Sequence, residues 1–262
     1  MENNKEKIKI AFANGTTEND YVRYLSVKYD VEVVDIIDKS LGFKDLPNLI
    51  VFTGGADVNP SIYGEKVGSR TYTNVLRDSV EQQTYGRYAG LVPLLGICRG
   101  AQLLTVFSGG SLIQHTTGHS MTNHTITTPS NHSSYTINGD HHQMMYPFNL
   151  DNSKYEILYH SHMFKSSTYL NGNDEEIELP PFFVEPEIVF YSNSKALCIQ
   201  GHPEWMNLEH PTVKMTLDLI ANKLFNNKPI VNLEETYEDN EDVFYSDNEE
   251  DDEENDEFFE EV

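Results

Sequence analysis

The stretch Leu94-Leu95-Gly96-Ile97-Cys98-Arg99-Gly100-Ala101-Gln102 holds the residues best placed to do chemistry. An apolar run enters Gly-x-Cys-x-Gly and leaves as a helix-forming run. This is the spacing of a nucleophile elbow, with Cys in place of Ser. Glycines two residues either side of Cys98 let the backbone turn sharply and lift the sulfur above a sheet edge. A helix starting at Arg99 would point N–H groups at that sulfur and favour its thiolate. The N–H of Arg99 is a natural oxyanion donor, and the Gly54-Gly55 turn can supply a second. The bland alternative, a buried Cys acting as a small hydrophobe, fits Cys198 better, since Ala196 to Gln200 is an apolar run without flanking turn glycines.

A cysteine nucleophile needs a base and a group to orient that base. Gln200-Gly201-His202-Pro203-Glu204-Trp205 follows a strand-like run, and Pro203 stiffens its exit. One carboxylate two residues from an imidazole can reach the ring's far nitrogen. By spacing alone, His-x-Glu is a weak signal, and an ordinary turn is the better account of His202 and Glu204.

These turns need a scaffold. Ile8 to Ala13, Val31 to Ile37, Leu49 to Thr53 and Leu91 to Ile97 read as strands. Thr17 to Val27, Asn74 to Ala89 and Arg99 to Phe107 read as helices. The alternation predicts an α/β fold with a mostly parallel sheet flanked by helices. Ligands bind beyond the carboxyl ends of such strands, so Gly54-Gly55 and Cys98 should share a rim. Strand-like pieces recur near Thr125, Tyr135 and Tyr155. Glu187 to Ser192 and Ala196 to Gln200 read as paired strands around Asn193-Ser194, and Leu208 to Phe225 as a closing helix.

The chain has 262 residues, 42 acids and 18 Lys plus Arg, a formal net charge of −24. From Glu234 to Val262 there are 17 acids and no Lys or Arg, leaving 25 acids against 18 bases before it. The expected division is a domain over 1–233 and an acidic, disordered tail over 234–262. A broad basic surface for nucleic acid is disfavoured. No apolar run approaches the roughly 20 residues of a membrane span. Two cysteines and no signal-type N-terminus predict a reducing cytoplasm. The tail's Tyr237, Phe244, Tyr245, Phe258 and Phe259 leave two readings open: a solubilising appendage, or a docking segment for a basic partner.

Eight of the ten histidines lie between His115 and His162. The spacing of His115, His119 and His124 crosses Gly118 and a polar loop, so no shared helix face is implied. Polar surface histidines are expected there, with no metal and no cofactor. Arg77 and Asp78 have two readings, substrate contact or a structural ion pair. The Gly-rich turns lack the Gly-Lys-Ser/Thr of a phosphate-binding loop.

Leu95 to Gln102 together with Gln200 to Glu204 resembles the class I glutamine amidotransferases, and most closely their γ-glutamyl hydrolase branch (γ-glutamyl-γ-aminobutyrate hydrolase, C26 peptidase-like). Thr53-Gly54-Gly55-Ala56-Asp57-Val58-Asn59-Pro60 with Tyr63-Gly64-Glu65 resembles that branch's oxyanion loop. Arg77-Asp78 with Glu81, Gly109-Gly110-Ser111-Leu112 with Gln114, and His141-His142-Gln143 follow in its order. The likeness runs from about Ile8 to Leu224. It implies a flavodoxin-like fold, with Cys98 as nucleophile, His202 as base then acid, and Glu204 as orienter. It also implies an oxyanion hole at the N–H groups of Gly55 and Arg99, and Gly54, Gln102, His141 and His142 at the substrate. The implied reaction is hydrolysis of a γ-glutamyl amide through a thioester. A glutaminase passing ammonia to a separate synthase shares the same residues. A non-catalytic binder acting through the tail is the rival of another class.

Three positions depart from the family pattern. Gly139-Asp140 stands where Ser-x is usual before the paired histidines, Gly201 stands where an aromatic is usual, and Ser161 to Pro186 is longer and more acidic.

Overall fold

The computed structural model describes residues 5–37, 45–130 and 133–226. The 233/234 boundary and the acidic tail lie outside them.

The chain begins β1 (Lys7–Phe12), α1 (Asn19–Leu25), β2 (Asp30–Val33) and β3 (Leu49–Phe52). A 3-10 turn, Pro60–Tyr63, precedes α2 (Val75–Tyr88), β4 (Leu94–Ile97) and α3 (Arg99–Phe107). Short strands follow: β5 (Ser111–Ile113), β6 (His115–Thr116), β7 (Thr122–Thr127), β8 (Ser134–Gly139) and β9 (Met144–Tyr146). The chain continues as β10 (Tyr155–Ser161), β11 (Tyr169–Leu170), β12 (Pro186–Tyr191) and β13 (Ala196–Ile199). After a 3-10 turn at Pro203–Trp205, α4 (Pro211–Leu219) runs into a wider π-type stretch, Ile220–Phe225.

Nine strands form one sheet in the order β2-β1-β3-β4-β13-β12-β10-β7-β8. The first five run parallel. The remaining pairings, β13-β12, β12-β10, β10-β7 and β7-β8, are antiparallel. The α/β architecture flanked by helices is therefore as expected, with a mixed sheet whose parallel half carries the site. The antiparallel half follows from connection length: a tight turn such as Asn193-Ser194 can only reverse the chain, whereas parallel neighbours need a crossover.

Every residue of β3 and of β4 is buried, as expected of central strands covered on both faces. Alternation sends Leu95 and Ile97 to one apolar cluster with Tyr24 and Leu217, and Leu94 to the other with Leu103 and Val106. Cys198 is fully buried in the second cluster, where burial pushes its thiol pKa up. Helix α3 is buried from Arg99 through Val106, so the nucleophile turn opens onto a helix embedded in the core rather than laid on the surface. Helix α2 is capped by Asn74, whose side chain accepts the Arg77 N–H at 3.1 Å. Helix α1 begins without such a cap, because the Glu18 carboxylate instead accepts the Thr53 hydroxyl at 2.6 Å, tying α1 to the end of β3.

Candidate active site

Three adjacent parallel strands, β3, β4 and β13, end side by side and deliver Gly54-Gly55, Cys98 and His202 to one rim. Cys98 sits between β4 and α3 with φ 52° and ψ −111°, a left-handed conformation unusual for a non-glycine residue. Such a conformation costs on the order of 1–3 kcal/mol and persists only where the surroundings enforce it. Cys98 N–H donates to Ile199 O at 2.8 Å, and Cys98 O accepts the Gln102 N–H at 3.1 Å. Gly100 is required by close approach, since a Cβ there would lie 2.0 Å from the Phe52 carbonyl oxygen. The first helical bond of α3 comes from Gln102, which leaves the N–H groups of Arg99 and Gly100 without intrahelical acceptors beside the sulfur. The sulfur is 3.9 Å from the Asp140 carbonyl oxygen.

His202 follows β13, and its N–H is held by both the carbonyl and the side-chain oxygen of Asn138, each at 3.2 Å. This contact explains Gly201. A Cβ there would fall 2.5 Å from Asn138 O and 2.7 Å from the Ile137 side chain, so β8 fills the space an aromatic would need. His202 Nδ1 lies 2.7 Å from Glu204 Oε1. With the carboxylate accepting, Nδ1 carries the proton and Nε2 is the nitrogen left for Cys98. Both the sulfur and the carboxylate act on the proton affinity of the imidazole. Burial pulls the His202 pKa down, but the Cys98 sulfur and the Glu204 carboxylate outweigh it and raise the pKa to about 10.

Trp205 lies flat on the His202 ring, centroids 3.6 Å apart and planes within 2°. It is the chain's one tryptophan, so indole fluorescence comes from the ring stacked on His202. A raised pKa means the imidazolium persists below that value and loses its proton above it. Emission quenched by the stacked cation is expected to rise through a midpoint well above 6.5. Removing the sulfur's charge with Cys98→Ser should move that midpoint down; an unmoved midpoint would separate the imidazole from Cys98.

The Gly54-Gly55 turn is braced from below. Arg77 donates to Gly54 O at 2.8 Å, to Thr53 O at 3.0 Å and to the Thr53 hydroxyl at 2.8 Å, and its Nε bonds Glu81 at 3.0 Å. Arg99 is buried with its guanidinium paired to both Asp78 and Glu81. Burial pushes the Asp78 carboxyl up, against the pull of Arg99. Asp78 also accepts the Asn59 N–H at 3.2 Å. Of the two readings for Arg77 and Asp78, the structure shows the ion-pair role: they join α3 and α2 to the Gly54-Gly55 turn. Gly54 N–H donates to the Tyr21 hydroxyl at 2.9 Å, and Gly54 and Gly55 both line the cavity over the rim.

A cavity of about 600 Å³ opens over these groups, lined by Glu18, Asp20, Tyr21, Gly55, Cys98, Asp140, His202 and Trp205 among others. Glu18, Asp20 and Asp140 make it acidic. Gln102, His141 and His142, expected at the substrate, are not among its lining residues. The Gln102 amide donates to Gln143 O at 2.9 Å in the core. His142 pairs with Asp57 at 3.1 Å, and His141 is buried.

The expectation of surface histidines is corrected for His119 and His124, which are buried. The β7-β8 hairpin and β12 enclose them with His141, Glu185 and Glu187, a grouping invisible in the spacing of His115, His119 and His124. Sequence reasoning also missed Trp205, Tyr21 and Glu18. Only Trp205 left a local signal, directly after His-Pro-Glu. Among the described residues no helix is long and apolar enough to cross a membrane.

The peptidase C26 family model matches residues 42–165, just under half of the chain. A glutamine amidotransferase-like protein of Lactococcus lactis, YvdE, is 42% identical over 83 residues, 30% of this chain and 35% of that protein. A Schizosaccharomyces pombe protein provisionally named a glutamine amidotransferase is 40% identical over 74 residues, 26% of this chain and 29% of its own. The chain thus matches about a third of each relative's length. A Thermoplasma acidophilum structure, provisionally named as part of a GMP synthase, aligns over 83% of this chain and 92% of its own with TM-score 0.52 and 17% identity, a likeness of fold. Over residues 42–165 the chain is thus similar to the peptidase C26 family, and over shorter stretches to proteins named as glutamine amidotransferase-like.

Proposed function

We propose that the protein hydrolyses a γ-glutamyl amide through a thioester on Cys98. The observation that carries this reading is the meeting of Cys98 with the His202–Glu204 pair at the ends of adjacent parallel strands, over a cavity. The sulfur attacks the amide carbonyl carbon, and the oxyanion forms against the N–H groups of Gly55 and Arg99. His202, already protonated, gives its Nε2 proton to the departing amine. Water then enters, His202 takes its proton, the C–S bond breaks, and glutamate leaves. Glu204 keeps the imidazole in one tautomer and orientation throughout. Glu18 and Asp20 offer carboxylates to the substrate's α-ammonium group.

The names of the relatives favour a second reading, glutaminase action with ammonia passed to a synthase on another chain. Glutamate release from glutamine and from a panel of γ-glutamyl amines, with the full chain alone, separates the two. Turnover of substituted amides above that of glutamine is the expected result. Release from glutamine alone, rising with an added synthase, would replace the first reading with the second. No release from any of them by the wild-type chain would overturn both.

A further inference from the structure

Behind the nucleophile, the loop after β6, the end of β8 and strand β12 bring His119, His141 and Glu187 together in the interior. The side-chain donor atoms of the three lie within 4.8 Å of one another. All three residues are buried, His119 and Glu187 completely. Four of their polar atoms have no hydrogen-bond partner: both ring nitrogens of His119, His141 Nε2 and Glu187 Oε2. His119 Nε2 stands 3.3 Å from Glu185 and Nδ1 stands 3.6 Å from Glu187, ion-pair distances without hydrogen-bond alignment. Buried polar atoms in native proteins are nearly always paired; His119 Nε2 turns toward Glu185, and the remaining three orphans, one on each side chain, call for a ligand.

We propose that His119, His141 and Glu187 form a binding site for a divalent transition ion, Zn²⁺ being the best match. The surrounding contacts hold each group as a ligand. His141 Nδ1 lies 2.8 Å from the Gln143 carbonyl, which can only accept, so Nδ1 bears the proton and Nε2 presents its lone pair. Glu187 Oε1 is held at 2.7 Å by His124, leaving Oε2 free. Glu185 is fixed by the N–H groups of Lys165 and Ser166 and by the Tyr169 hydroxyl, each at 2.8 Å, and faces His119 Nε2. That leaves His119 Nδ1, on the Glu187 side, as the third donor. Two imidazoles and one carboxylate suit zinc, whereas magnesium and calcium take oxygen sets. Bonds of about 2.0–2.2 Å place tetrahedral ligands about 3.4 Å apart, so a pair at the 4.8 Å limit closes in by about 1.4 Å on binding. The ion would staple β12 to the segment holding Asp140, whose carbonyl oxygen neighbours the Cys98 sulfur.

The test uses the full-length chain carrying Cys98→Ser, which removes the sulfur as a competing ligand, after stripping with a chelator. Calorimetry with Zn²⁺ should show one equivalent bound per chain and a raised Tm. Co²⁺ should give the visible bands of a four-coordinate ion. Glu187→Gln, nearly isosteric, and His119→Ala should each weaken binding by about a hundredfold, while His115→Ala leaves it unchanged. Metal-free melting curves establish that each variant folds, and Glu187→Gln decides if His119→Ala does not. No stoichiometric binding by the Cys98→Ser chain would overturn the proposal. So would binding that survives Glu187→Gln, or that is lost with His115→Ala, which would place the ion on the tail's carboxylates or at the His115–His142 pair.

Discussion

Replacing Cys98 with Ser is expected to lower kcat by about four to six orders of magnitude, the loss seen when the nucleophile of a coupled triad is removed. The hydroxyl would occupy the same strained turn, with the same N–H groups beside it. A serine hydroxyl must give up its proton during the attack, whereas the site is arranged to pair a sulfur with a protonated His202, so the alkoxide forms only at a large energetic cost even though losing the sulfur lowers the His202 pKa. Stability should change by only about 1 kcal/mol, since the two side chains are nearly isosteric. Single-turnover glutamate release and a melting curve measure both quantities. Turnover within tenfold of the wild type would remove Cys98 from the reaction.

Arg99→Met should be the most damaging substitution for stability that leaves the nucleophile in place. The guanidinium is buried between Asp78 and Glu81. Removing it strands two carboxylates in the interior, and breaking a buried pair in this way costs about 3–5 kcal/mol. The stranded groups would have raised pKa values, so the deficit relative to wild type should shrink as pH falls and they protonate. Adding Asp78→Asn and Glu81→Gln to Arg99→Met should restore part of the loss by removing the charges. Urea unfolding at neutral and acid pH reads all three effects. A deficit under about 1 kcal/mol, unchanged by pH, would show that the ion pairs are not what fastens α3 to α2.

The nucleophile turn was legible because its causes are local. Glycines two residues from Cys98, an apolar run before it and a helix-forming run after it all act within a few residues of one another. The same holds for the helix from Arg99 to Phe107; His202 and Glu204 stood out only through the family resemblance, and the structure shows their 2.7 Å contact. The parallel half of the sheet followed from alternating strand and helix signals, and the Asn193-Ser194 turn marked where the antiparallel half begins.

Other features depended on contacts between distant segments. Arg77 and Asp78 allow two equal readings in the sequence; α2 bonding the Gly54-Gly55 turn, with Arg99 between Asp78 and Glu81, selects the ion-pair role. Gly201 looked like a departure until β8 was seen to fill the space beside it. Gln102 turned inward because the Gln143 carbonyl sits over α3. The histidines between 115 and 162 carried no periodicity, and their burial with Glu185 and Glu187 required a hairpin and a strand some sixty residues away in sequence to fold over them. The sequence by itself determined the strand-to-helix turn at Cys98 and the α/β class, because short-range sterics and periodicity encode them. Only the tertiary structure decided which charges pair in the core, which histidines leave the surface and which carboxylates line the cavity. Those outcomes depend on where distant backbones meet and on the cost of leaving a buried polar group without a partner.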